Sequence, residues 1–118
     1  MDESKRVADA IYEQAFLRYV NGCIENLNQL PSDRANKAWA VVARFYRQAT
    51  EDDRKAVDDF VRSIVADTAS IILGGLDGVT DLDTLDGDIS VTYDGQVVSG
   101  DLQEYFLAAV EKFTQAER

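Results

Sequence analysis

The sequence predicts an α+β fold in a single domain spanning residues 1–118, and three observations predict it. Apolar residues recur at helical spacing through three segments before Gly75. Two alternating runs then flank an Asp-Gly pair, in "ISVTYDGQVVSG". Helical spacing returns after Asp101. The expected order is three N-terminal helices, an acidic loop, a two-stranded antiparallel β-hairpin and a C-terminal helix.

The first helix is expected from Ser4 to Asn28, with Val7, Ile11, Phe16, Val20, Ile24 and Leu27 on one side. Asn21-Gly22 interrupts it with a dipeptide that favours turns, but the apolar spacing continues through. Pro31 ends the segment, and Ser32 or Asp33 can cap a second helix running to Gln48. In that helix Ala35, Ala38, Trp39, Val42, Ala43, Phe45, Tyr46 and Ala49 fall within an arc of roughly 160°. Arg34, Lys37, Arg44 and Arg47 take the opposite side and form a basic stripe. Thr50 followed by Glu51-Asp52-Asp53 reads as a cap with acids in a first helical turn, where the helix dipole favours them. The third helix places Val57, Phe60, Val61, Ile64, Val65, Ile71 and Ile72 inward, and Gly74-Gly75 is its expected stop.

Asp94-Gly95 between alternating runs reads as a two-residue type I′ turn. That register sets Tyr93 opposite Gln96 and Val91 opposite Val98, with Ile89, Val91, Tyr93 and Val98 on the side fit for burial. Such a hairpin is unstable alone and must lie on helices. Asp101-Leu-Gln-Glu104 resembles a capping box, opening a last helix with Leu102, Phe106, Ala109, Val110 and Phe113 inward.

Charge is the most uneven property of the chain. The net charge is −10, and no Lys or Arg occurs between Ser63 and Glu111, where ten acidic side chains lie. Six of them, Asp77, Asp81, Asp83, Asp86, Asp88 and Asp94, crowd the segment from Gly75 to Gln96. Such a field repels nucleic acid and anionic membrane surfaces and attracts cations or basic proteins. Like charges about 4 Å apart repel by roughly 1 kcal/mol even in water, so the clustering opposes folding unless something offsets it.

Three uses of the cluster follow. A calcium loop needs D-x-[DN]-x-[DN]-G with a closing Glu at position twelve. Aligning Gly87 at position six puts Leu82 at one, Thr84 at three and Tyr93 at twelve, so the closing ligand is missing. A second use is local: Asp77-Gly78, Asp86-Gly87 and Asp94-Gly95 are ordinary turn dipeptides. The acidic loop can then lie across the basic stripe of the second helix, within one chain or between two, which would give a homodimer. The third use is a binding surface for a basic protein partner.

Catalysis has little to stand on. The chain has no histidine, which removes the commonest general base and transition-metal ligand. Its one thiol, Cys23, sits in an apolar helical stretch and reads as an inert core residue. "LGGLDG" lacks the lysine and spacing of a phosphate-binding loop. Asp52-Asp53 and Asp58-Asp59 are adjacent pairs that point about 100° apart on a helix, so they do not converge. No catalytic residue, cofactor or metal ligand is assigned. The basic stripe alone does not make a nucleic-acid binder against this net charge.

The expected function is therefore a non-catalytic interaction protein that presents Asp77, Asp81, Asp83, Asp86, Asp88 and Asp94 to a basic partner. In size, acidity and want of a catalytic set, the chain resembles small bacterial inhibitors. Immunity proteins for nuclease toxins and proteins that imitate DNA are of this kind. That resemblance lies in composition and size and implies an inhibitor. The alternatives are a divalent-metal- or substrate-binding enzyme using clustered carboxylates, and a structural homo-oligomer joined at the hairpin edge. The polar start MDESKRVADA and the absence of any apolar run near the roughly 20 residues of a membrane span lead us to expect a cytoplasmic protein without membrane contact.

Overall fold

Asp2 begins the first helix in the computed structural model, which describes residues 2–29 and 37–116. Its carboxylate accepts the Ser4 N–H at 2.9 Å, satisfying a first-turn donor with no partner inside the helix. Helix α1 (Glu3–Ala10) passes without a break into a π-helical turn (Ile11–Leu17) and then α2 (Arg18–Asn28). The expected single helix is therefore present and Asn21-Gly22 does not interrupt it; the π-helical turn was not expected. Its cause lies in the spacing of the buried residues. Ala8, Tyr12, Phe16 and Val20 are all buried, and each lies four positions after the last. In an α-helix a step of four overshoots a full turn by about 40°, so three steps would swing the row roughly 120° off the core. The wider π turn takes up that drift and keeps all four on one side.

Helix α3 (Lys37–Gln48) packs on α2, and α4 (Glu51–Asp77) follows after a tight corner. Thr50 caps α4 as expected, its Oγ1 accepting the Asp53 N–H at 3.1 Å. Arg54 reaches back to cap α3, donating to the carbonyls of Tyr46 at 3.1 Å and Arg47 at 2.7 Å. Tyr46 donates its hydroxyl to Asp58 at 2.9 Å, and burial together with that bond pushes the phenol up from its ordinary range. The expected Ser32 or Asp33 cap, and the positions of Arg34 and Ala35, lie outside the described residues.

Two expectations for these helices are corrected. Gly74-Gly75 does not stop the third helix, which continues to Asp77. The stop is Gly78 at φ 80°, with Val79 N–H donating to the Gly74 carbonyl at 2.9 Å and Gly78 N–H to that of Gly75 at 3.3 Å. That pair of bonds is the Schellman closure. Gly74 and Gly75 serve close approach instead. A Cβ on Gly74 would clash with Thr80 Oγ1 and lie 2.6 Å from Gln103 Nε2, and one on Gly75 would lie 3.0 Å from Leu82. The second correction concerns faces. Phe60, Ile64, Ile71 and Ile72 of α4, and Val42 and Phe45 of α3, are exposed rather than inward. Apolar positions of α4 cover about 240° of its circumference, more than one core can bury.

The hairpin keeps the expected register, Thr92 opposite Val97 and Tyr93 opposite Gln96. Asp94 at φ 51° and Gly95 at φ 81° make the type I′ turn. Its strands, β1 (Thr92–Tyr93) and β2 (Gln96–Val97), are shorter than the alternating runs, although Val98 N–H still donates to the Val91 carbonyl at 2.8 Å. Val98 is wholly buried, while Tyr93 and Ile89 stay exposed, against the expected inward face. The fold is thus mostly helical with a small two-stranded antiparallel sheet, broadly α+β.

Helix α5 (Leu102–Ala116) closes the core against α1 and α4. Leu102 and Phe106 are buried there with Tyr12, Phe16, Ala66 and Leu73. Ala109 and Val110 pack against this cluster as expected, while the Phe113 side chain lies outside the described residues. A second cluster of Leu27, Ala43 and Tyr46 joins α2 to α3. Among the described residues, no helix is long and apolar enough to cross a membrane.

Helices α1 and α5, already packed together, are also joined by a bond, Tyr105 Oη donating to Asp2 Oδ2 at 2.5 Å. It holds the Asp2 carboxyl below the ordinary carboxylate range, helped by the Ser4 N–H. The same bond raises the Tyr105 phenol. A depressed carboxyl contributes stability that is present above about pH 4 and lost as pH falls through its folded value. A raised phenol contributes stability that is present below about pH 10 and lost as pH rises through its folded value. Protection of the first-turn amides of α1, taken relative to their intrinsic exchange rates at each pH, is therefore expected to fall at both extremes, and Tyr105→Phe should abolish the alkaline limb. An unchanged limb in that variant would refute the assignment.

Candidate functional site

The acidic segment is positioned by the two close-approach glycines. Because Gly74 and Gly75 carry no Cβ, Thr80 and Leu82 fold back onto the last turns of α4. Leu85 N–H then donates to the Leu82 carbonyl at 2.8 Å, closing a turn. Residues 81 to 90 that follow are all exposed and contain neither helix nor strand. Together with the end of α4, this chain path encloses an open hollow of about 510 Å³.

The six aspartates do not share one role. Asp77, Asp81, Asp86 and Asp88 line the hollow, whereas Asp83 and Asp94 do not. Asp94 sits in the hairpin turn. Asp77 stands apart from the rest. Its Oδ1 accepts the Gly100 N–H at 2.6 Å and its Oδ2 the Gln103 N–H at 2.7 Å. The last residue of α4 thus caps α5, the task expected of Asp101. Sequence reasoning missed this because the partners are 23 and 26 positions away. Gln103 is held further by Ser70, to whose carbonyl its Nε2 donates at 3.0 Å.

Asp81, Asp83, Asp86, Asp88 and Asp94 make no ion pair or side-chain hydrogen bond among the described residues. The ion pairs that do form lie within helices, as Lys5–Asp9 at 2.6 Å and Lys55–Asp59 at 2.9 Å do. The lie of α3 explains part of this. The Tyr46–Asp58 bond pins α3 beside the first third of α4, while the hollow sits beyond its far end. Nineteen residues separate Asp58 from Asp77, which is about 28 Å of helix. The described cations of the basic stripe, Lys37, Arg44 and Arg47, therefore do not cover the acidic loop of the same chain, and the intramolecular pairing expected as one alternative is not formed by them.

The arrangement also bears on metal chemistry. Among the described residues no three of His, Cys, Asp or Glu come together in a group that could hold a metal ion. The exposed Asp81, Asp86 and Asp88 share the lining of the hollow with apolar Leu82, Leu85 and Ile89. What this geometry can do is present spaced negative charge on a partly apolar ground. No family model, curated protein or solved structure matches the chain.

Proposed function

We propose that this chain is a non-catalytic interaction protein whose loop after α4 and hairpin turn engage a basic protein surface through Asp81, Asp83, Asp86, Asp88 and Asp94. One observation carries the reading: these carboxylates lie exposed without a cation of the described chain against them. Unscreened negative charge steers a cationic partner and accelerates its association. An inhibitor of the immunity or DNA-imitating kind would work in this way, its carboxylates occupying a groove where phosphates otherwise sit. Asp77 is not in the presented set, since both of its oxygens are used within the fold. The reading places the protein in the cytoplasm, where the buried thiol of Cys23 stays reduced.

The test is a quadruple variant, Asp81→Asn with Asp83→Asn, Asp86→Asn and Asp88→Asn. Its folding stability is expected to equal or exceed that of the natural chain, because repulsion is removed and no bond is lost. Association with an arginine-rich probe peptide should weaken at least about tenfold at low salt and converge with the natural chain at high salt. A variant that unfolds more easily, or that binds the probe unchanged, would overturn the reading.

A further inference from the structure

We propose that a second copy of this chain covers the two exposed apolar helix faces, α3 of each copy lying against the middle and far half of α4 of the other. Helix α3 exposes Val42 and Phe45, the latter 69 % accessible. The same exposed arc holds Lys37 and Arg44. Helix α4 exposes Phe60, 64 % accessible, with Ile64 and Ile71. Steps of four and seven put these three on one side of the helix over about 16 Å, close to the length of α3 at 12 residues. Asp67 lies in that arc and is exposed, Asp53 continues the same side in the first turn of the helix, and no Lys or Arg occurs in the arc.

One face is therefore apolar with a cationic rim and the other apolar with an anionic rim. Each supplies what the other lacks, and the chain itself carries both. They cannot meet within one copy, because α3 already packs its opposite side on α2 and the start of α4. A two-fold axis lets both contacts form at once, α3 on α4 and α4 on α3. The area supports a second copy over a small ligand or peptide. A compact chain of 13.1 kDa exposes about 6,400 Å², whereas this one exposes 8507 Å². The excess, summed over the whole chain, is larger than the about 800 Å² each partner contributes to a standard stable interface. The radius of gyration is 17.1 Å, against about 13.5 Å for a compact domain of this length. The contact does not use the loop carboxylates of the function proposed above, so the two stand or fall separately.

Sedimentation equilibrium of the full chain tests the inference. The natural chain is expected to weigh twice 13.1 kDa at micromolar concentration. Phe45→Glu and Ile71→Glu should each raise the dissociation constant by at least about tenfold, with unchanged circular dichroism because both side chains are exposed. Arg44→Asp should weaken the pair, and adding Asp67→Arg to it should recover at least half of that loss. The quadruple loop variant should remain dimeric. A natural chain that is monomeric to about 100 μM, a dimer indifferent to both Glu substitutions, or a dimer lost in the loop variant would each overturn it.

Discussion

Phe106→Ala is expected to lower the free energy of unfolding by about 4 kcal/mol, the largest loss from any single substitution considered. Phe106 is wholly buried and sits where α1, the π-helical turn and α5 converge. Its ring meets Phe16 at 5.5 Å and 88°, and Tyr12 at 6.3 Å and 68°. Tyr12 and Phe16 stack on each other at 5.5 Å. Edge-to-face contacts of this kind add about 0.5–1.5 kcal/mol beyond area burial. Truncation removes both ring contacts and leaves a cavity that three helices cannot close without moving. The midpoint of thermal unfolding should fall by roughly 15 °C. Phe45→Ala makes the same chemical change at an exposed site and should stay within about 0.5 kcal/mol in dilute solution. If the two variants lose equal stability in urea titrations, the assignment of Phe106 to the centre of the core is wrong.

Asp77→Ala is expected to cost about 2–3 kcal/mol, unlike any of its five acidic neighbours. Two backbone donors at the start of α5 lose a charged acceptor, and that helix carries Leu102 and Phe106 into the core. Asp77→Asn keeps one acceptor oxygen and should lose roughly half as much. Hydrogen exchange at Gly100 and Gln103 reads the effect locally, because their amides open first when the cap is gone. Faster exchange there, with the middle of α2 unaffected at mild denaturant, is the expected pattern. Unchanged exchange at both amides would mean that the carboxylate is not their acceptor in solution.

Local chemistry was legible in the sequence wherever neighbours in the chain decide the outcome. Asp94-Gly95 fixed the turn and register of the hairpin because a type I′ turn needs two positive φ angles. Thr50 ahead of three acids marked a helix start for the same kind of reason. Failures came where a distant neighbour decides. Gly74-Gly75 looked like a helix stop, but Thr80, Leu82 and Gln103 require them as places without side chains. Asp77 looked like one more loop acid, and only the return of the chain at Gly100 makes it a cap. The outward stripe on α4 had a visible sign: its apolar residues spread over too wide an arc for one core. The π-helical turn also left a trace, the step of five between Ile11 and Phe16 in an otherwise regular row.

That turn has a consequence for how the first rod tolerates change in length. Residues ahead of Ile11 are one position out of phase with those behind Leu17, and the π-helical bulge absorbs the surplus. Deleting a single residue inside it would restore a uniform α-helix and a better run of backbone bonds. Upstream positions would keep their phase, because the eleven α-helical steps then left between Ala8 and Val20 turn by about 1100°, only about 20° past three full turns. Ala8 would still face α5, and Asp2 would still reach Tyr105. Ordinary helical regularity is thus what this rod, with its surplus residue, gives up to stay in gear with its neighbours.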